Sequence, residues 1–172
     1  MKGPDQQLWK TAFANDLGRL AQGIGTRMPT GNDTITFIHP SEIPLHKKVT
    51  YGCLVVDIRP LKDEKYRVRL TVGGDKLEFT GNASSVAASL VTVKILLTSL
   101  LSTPNAIFST ADIKDFFYST LLPEPKFMKL SLKIIPQEII DYYNLNSLQV
   151  DDWVYIKITK GMPGLKQGGI LA

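Results

Sequence analysis

FSTADIKDFFYST, residues 108 to 120, sets Asp112 at the end of an apolar run, follows it with lysine and Asp115, and backs both with Phe116, Phe117 and Tyr118. Pro104-Asn105 before the run and polar residues after it predict a strand, AIFSTAD, ending at Asp112, where a side chain can leave the sheet and face a cleft. A carboxylate there suits a hard cation held against phosphate, because Mg²⁺ takes one or two carboxylates and fills its octahedron with water and phosphate oxygens. The amides of 115–117 are then free to meet outer phosphates, and the rings can wall off a sugar. The same residues also fit a helix starting near Lys114, capped by the two aspartates, with the rings in a core. The stretch alone leaves both readings open.

Upstream, LVTVKILLTSLL forms the body of an aliphatic segment, 84–101, that opens with serines able to cap a helix and carries Val86, Leu90, Val93, Leu97 and Leu100 on one stripe; a largely buried helix is expected. Before it the pattern is β: YGCLVVDIRP, YRVRLTV, the turn GGD, and a strand KLEFT. In YRVRLTV, Tyr66, Val68, Leu70 and Val72 share one face and Arg67, Arg69 and Thr71 the other. Two guanidinium groups side by side repel unless an anion sits between them. Cys53 lies among Leu54, Val55 and Val56 and reads as a small buried residue; as the single cysteine it can form no internal disulfide.

Residues 4–22 place Leu8, Trp9, Ala12, Phe13, Leu17 and Leu20 at helical spacing behind Pro4, an amphipathic helix ending near Gly23. Residues 23–46 are rich in turn formers around one β-like run, Thr34–Ile38, and read as an extended connector in which His39 and His46 are surface residues. Downstream, KFMKLSL (126–132) and WVYIKIT (153–159) are strands, with a short helix at 136–143 between them. Asp151-Asp152 forms the turn into the last strand, and KGMPGLKQGGILA is a glycine-rich turn.

With 44% hydrophobic and 21% charged residues, the 172-residue chain has the composition of a globular domain. No apolar run of about 18 residues and no signal-like N-terminus is present, so no membrane partner and an intracellular setting, cytoplasm or nucleus, are expected. The net charge of +4 is concentrated in residues 47–76, where Lys47, Lys48, Arg59, Lys62, Lys65, Arg67, Arg69 and Lys76 outnumber Asp57, Asp63, Glu64 and Asp75. A basic strip suits nucleic acid or triphosphate.

Taken in order, MKGPDQQLWKTAF, YRVRLTVGGD, SLVTVKILLTSLLS, FSTADIKDFFY, KFMKL and GMPGLKQ resemble the reverse transcriptase domain of copia-type LTR retrotransposons over almost the whole chain. The resemblance implies an α+β, partial right-hand polymerase fold, fingers plus part of the palm, as an antiparallel sheet with packed helices. It divides the chain into an N-terminal helix and connector (1–46) and a partial polymerase domain (47–172). It implies that Asp112 is the catalytic metal ligand and that Ile113 lends its carbonyl to the nucleotide-side ion, Mg²⁺ or Mn²⁺. Asp115 and Phe116 would meet the triphosphate, Phe117 would close off the ribose 2′ position, and Arg67 or Arg69 would reach the triphosphate from the fingers. Gly164, Leu165, Lys166 and Gln167 would border template and incoming base, with Pro163 departing from the family's usual residue. The implied partners are an RNA template, a DNA primer, deoxynucleoside triphosphates and the remainder of a polyprotein.

A two-metal site needs further carboxylates opposite the first. The family supplies them as an aspartate pair after the glycine turn, and the sequence ends before that point, so the expectation is a fragment with little polymerase activity alone. The second expectation is a non-enzymatic nucleic-acid-binding remnant using the 47–76 strip. A small phosphohydrolase with Asp112 as nucleophile ranks last, for want of a phosphate-binding loop.

Overall fold

The computed structural model describes residues 3–78, 88–111, 113 and 115–166. The apolar periodicity behind Pro4 forms α1 (Gln6–Leu20), burying Phe13, Leu17 and Leu20. Gly23, at a φ of 107°, closes the helix by donating its amide to the Gly18 carbonyl at 2.8 Å. Five strands follow the β-like runs: β1 (Ile35–Ile38), β2 (Val49–Ile58), β3 (Tyr66–Val72), β4 (Leu121–Ser131) and β5 (Trp153–Lys160). With α2 (Leu90–Ser102) and α3 (Gln137–Tyr142) they make an α+β architecture around one sheet ordered β1-β5-β4-β2-β3.

The sheet is mixed, which corrects the antiparallel expectation. β1/β5, β4/β5 and β2/β3 are antiparallel, whereas Val49–Tyr51 of β2 run parallel to Phe127–Lys129 of β4. The long connection between β3 and β4 makes such a crossover feasible. Beyond Tyr51, β2 parts from β4 and pairs with β3 alone, from Gly52 opposite Val72 to Ile58 opposite Tyr66. Gly52 marks the parting, because a Cβ there would come within 2.5 Å of the Leu130 side chain. The outer half of β2 thus projects as a two-stranded arm, and Cys53 on it is exposed rather than buried.

The first 46 residues share the core with the rest of the chain. α1 packs on β3, β1 pairs with β5 in the register Ile35 opposite Ile158, and Phe13, Leu17 and Ile35 join Leu70, Met128, Leu130, Ile139, Ile156 and Ile158 in one buried cluster. Alternation along β3 follows the sequence, with Val68, Leu70 and Val72 buried and Arg69 exposed.

Three further expectations are overturned. α2 forms, capped by Ser89, whose hydroxyl accepts from the Thr92 amide at 3.1 Å, yet none of its residues is buried and Leu101 is 87% exposed. Hydrophobicity all round marked a helix in need of cover, but nothing among the described residues supplies it. Residues 106–111 are exposed and belong to none of the five strands, where a strand was expected. KLEFT begins as a 3-10 turn, Gly74–Lys76, followed by buried Leu77; residues 79–87, including Ser84 and Ser85, lie outside the described ones. The Asp151-Asp152 turn is as expected, both residues having positive φ between the bridged pair Val150 and Trp153. Among the described residues no helix is long and apolar enough to cross a membrane.

Candidate functional site

The outer edge of β3 is closed from two directions. The Leu70 amide donates to the buried carboxylate of Asp16 on α1 at 2.8 Å, and the Val72 amide donates to the Pro163 carbonyl at 2.9 Å. The second bond docks the MPG turn against the strand. Gly164 has a φ of 96°, and a Cβ on it would collide with the Val72 backbone. The same turn is tied to residues 117–120: the Gly161 amide donates to the Thr120 carbonyl at 2.8 Å, and a Cβ on Gly161 would meet the Phe117 carbonyl oxygen at 2.6 Å.

Three segments far apart in sequence therefore border one cleft of about 1070 Å³. β3 supplies Arg67 and Arg69, the turn after residue 112 supplies Ile113, Asp115, Phe116 and Phe117, and the glycine turn supplies Met162, Pro163, Gly164 and Leu165. Arg19 of α1 and Arg59 and Glu64 of the arm complete the wall. Among the described residues four guanidinium groups thus face two carboxylates, a balance that suits an anionic occupant.

Asp115 adopts a left-handed conformation, φ 58°, ahead of the 3-10 turn Phe116–Ser119, and its side chain makes no capping hydrogen bond. Its carboxylate is therefore not used by the helix start, and the rings behind it are not in the core: Phe116 and Phe117 remain 40% and 45% exposed, their centroids 5.9 Å apart at 67°. At 115–117, then, the side-chain cap and the buried rings of the helix reading are not seen, and the rings border the cleft. Tyr118 is half-buried, and burial, with Asp16 nearby, pushes its hydroxyl pKa up. Burial likewise raises Asp16 to about 6, against the opposing pull of the Leu70 amide and of Arg19 and Arg69.

Of the residues singled out from sequence, Arg67, Arg69, Ile113, Asp115, Phe116 and Phe117 come together. Lys166 is exposed and is not among the residues lining the cleft. Asp112 and Gln167 lie outside the described residues. Tyr118, one of the three rings read as a possible sugar wall, also lines the cleft. Arg19, Arg59 and Glu64 were not foreseen there; Arg59 belonged to the basic strip, but the link from Arg19 to Glu64 spans 45 positions and leaves no local signal.

Half of the strip's eight cations are ion-paired among the described residues, Lys76 with Asp75 included. Lys47 pairs with Glu124 at 2.5 Å, Lys48 with Glu78, and Arg59 with Glu64 at 3.6 Å, whereas Arg67 and Arg69 have no ion pair among the described residues. Asp152 pairs with Lys133 at 2.6 Å, on the turn before β5. His39 caps the short turn Pro40–Glu42, its Nδ1 at 2.8 Å from the Ser41 hydroxyl. No three carboxylate, histidine or cysteine side chains assemble into a metal-binding group among the described residues. Among the described residues the carboxylates lining the cleft are Asp115 and Glu64, and these two do not amount to the donor set of a two-ion centre. No family model, curated protein or solved structure matches the chain.

Proposed function

We propose that the chain is the fingers and part of the palm of an RNA-directed DNA polymerase of the copia type, and that its cleft binds the triphosphate and sugar of a deoxynucleotide. The single observation that carries the reading is convergence: the basic strand, the 113–117 turn and the glycine turn, which the sequence resemblance assigns to one substrate, border one cleft although they lie about a hundred positions apart at the extremes. Arg67 and Arg69 would neutralise phosphate oxygens through charge-assisted hydrogen bonds. The backbone at Phe116 and Phe117 would meet the outer phosphates, and the Phe117 ring would crowd a 2′-hydroxyl.

Mg²⁺ or Mn²⁺ on Asp112 and the Ile113 carbonyl remains part of the proposal, and the cleft residues bind and orient the nucleotide without it. Polymerisation would need carboxylates that the Asp151-Asp152 turn does not offer, one of them being paired to Lys133 on the turn before β5. Binding is therefore the activity proposed for this chain. The other reading, a nucleic-acid-binding remnant using the 47–76 strip, rests on charge alone, and the convergence of three segments on one cleft favours the nucleotide over it.

Calorimetric titration of the full chain with a deoxynucleoside triphosphate tests this. Binding that weakens about tenfold or more in the Arg67→Gln, Arg69→Gln double variant is expected, each lost charge-assisted bond being worth roughly 1.5–3 kcal/mol. Undiminished binding in that variant, or none in the wild type, would reject the cleft.

A further inference from the structure

We infer that Arg19 and Arg59 form a second polyphosphate subsite of the cleft, in which Glu64 acts as the resident stand-in for the anion; the inference rests on the nucleotide-binding reading above. Arg19 belongs to α1 and Arg59 directly follows β2, so nothing in the chain's local geometry requires the two guanidinium groups to meet. One carboxylate joins them. Arg19 Nη2 donates to Glu64 Oε1 at 3.2 Å, Arg59 Nη2 lies 3.6 Å from Oε2, and the same nitrogen donates to the Glu64 backbone carbonyl at 3.1 Å.

A carboxylate set between two guanidinium groups presents oxygens much as a phosphate does, which is why guanidinium groups recognise both. Glu64 sits on the loop between the strands of the arm, and its side chain is 54% exposed while those of Arg19 and Arg59 are 34% and 26% exposed. The anion is thus the solvated member and the cations the sheltered ones. Ion pairs of that exposure add little stability, so Glu64 can be displaced at small cost. A second observation comes from Arg59 itself: its Nε is buried and has no hydrogen-bond partner among the described residues. Leaving a buried donor unpaired is costly, and a phosphate oxygen arriving between Arg19 and Arg59 would supply the missing acceptor.

The subsite takes a run of phosphate oxygens, either the tail of a nucleoside triphosphate or the backbone of a strand. Glu64 competes with that ligand, so removing its charge should tighten binding, opposite to the effect of deleting a structural ion pair. The test titrates wild type, Glu64→Gln, and the double variants Glu64→Gln with Arg19→Gln or Arg59→Gln. The probes are inorganic tripolyphosphate and a twelve-residue oligouridylate, and melting curves establish that each variant is folded. Glu64→Gln is expected to bind at least one probe about three- to tenfold more tightly, with the gain abolished in both double variants. A gain for tripolyphosphate alone identifies the nucleotide tail, and a gain for oligouridylate alone the strand backbone. Unchanged or weaker binding by Glu64→Gln, in a chain whose affinity still depends on Arg67 and Arg69, would overturn the subsite and leave the proposed function standing. Failure of wild type and Glu64→Gln alike to bind either probe would overturn both.

Discussion

The carboxylate of Asp16 accepts the Leu70 amide at 2.8 Å from a position only 6% exposed, so a helix side chain completes the hydrogen bonding of a strand edge. Burial, the largest influence on Asp16, raises its pKa from 3.8 to about 6. A folded-state pKa above the unfolded value means that the folded chain holds a proton the unfolded chain has released. The resulting stability is fully present below about pH 4 and is lost as pH rises through about 6. At 1.36 kcal/mol per unit the swing is roughly 2–3 kcal/mol. Urea unfolding from pH 4 to 7 should show wild type losing about that much relative to Asp16→Asn, whose amide oxygen still accepts from Leu70. Parallel profiles for the two proteins would refute the assignment.

Gly164 is required for two separable reasons, its φ of 96° and the absence of room for a Cβ beside Val72. Gly25 has a φ of 53° but open space around it. Alanine at Gly25 is therefore expected to cost about 1 kcal/mol of conformational strain alone. Alanine at Gly164 should cost more than that and should also weaken triphosphate binding, because the turn must move off β3. Equal destabilisation of the two variants in thermal unfolding would contradict this account.

Phe117 is half-exposed, and its carbonyl is packed on Gly161, which fixes the backbone that carries the ring. Under the proposed function, Phe117→Ala should lower the preference for deoxy- over ribonucleoside triphosphate by about 10- to 100-fold. Competition binding measures the ratio directly. A preference that survives the substitution would remove Phe117 from the sugar wall.

Leu101 and Met128 are both large apolar residues, 87% and 0% exposed respectively. Leu101→Glu is predicted to shift stability by no more than about 0.5 kcal/mol and to reduce light scattering at high concentration. Met128→Ala should cost about 2–5 kcal/mol. A large loss of stability from Leu101→Glu would show that α2 packs into the folded body.

Periodicity was enough for α1, β3, α3 and β5, because in each the alternation or helical stripe matches a face that is buried. The Asp151-Asp152 turn was legible for a local reason too, the tolerance of aspartate for positive φ. What could not be read was non-local. The parallel contact of β2 with β4 depends on how the chain returns after β3, and residues 106–111 have strand-like composition but belong to none of the five strands. α2 shows the same gap: its apolar residues state a demand for cover without naming what meets it. In the cleft, Arg67, Arg69 and the 115–117 turn were visible as residue types. The Arg19–Glu64 link was not, because a charge on a helix carries no mark of a loop 45 positions away.

The docking of Pro163 on Val72 has a consequence for how the chain behaves in company. Val72 lies on the outermost strand, and the carbonyl that occupies its amide belongs to the turn that borders the cleft. Any event that lifts this turn also frees the Val72 end of that edge, while the Leu70 amide stays with Asp16, and a freed strand end can recruit a strand from a neighbouring molecule. Occupancy of the cleft and resistance to intermolecular sheet growth are thereby linked through a single hydrogen bond, and a ligand that seats the turn would act as a guard against self-assembly.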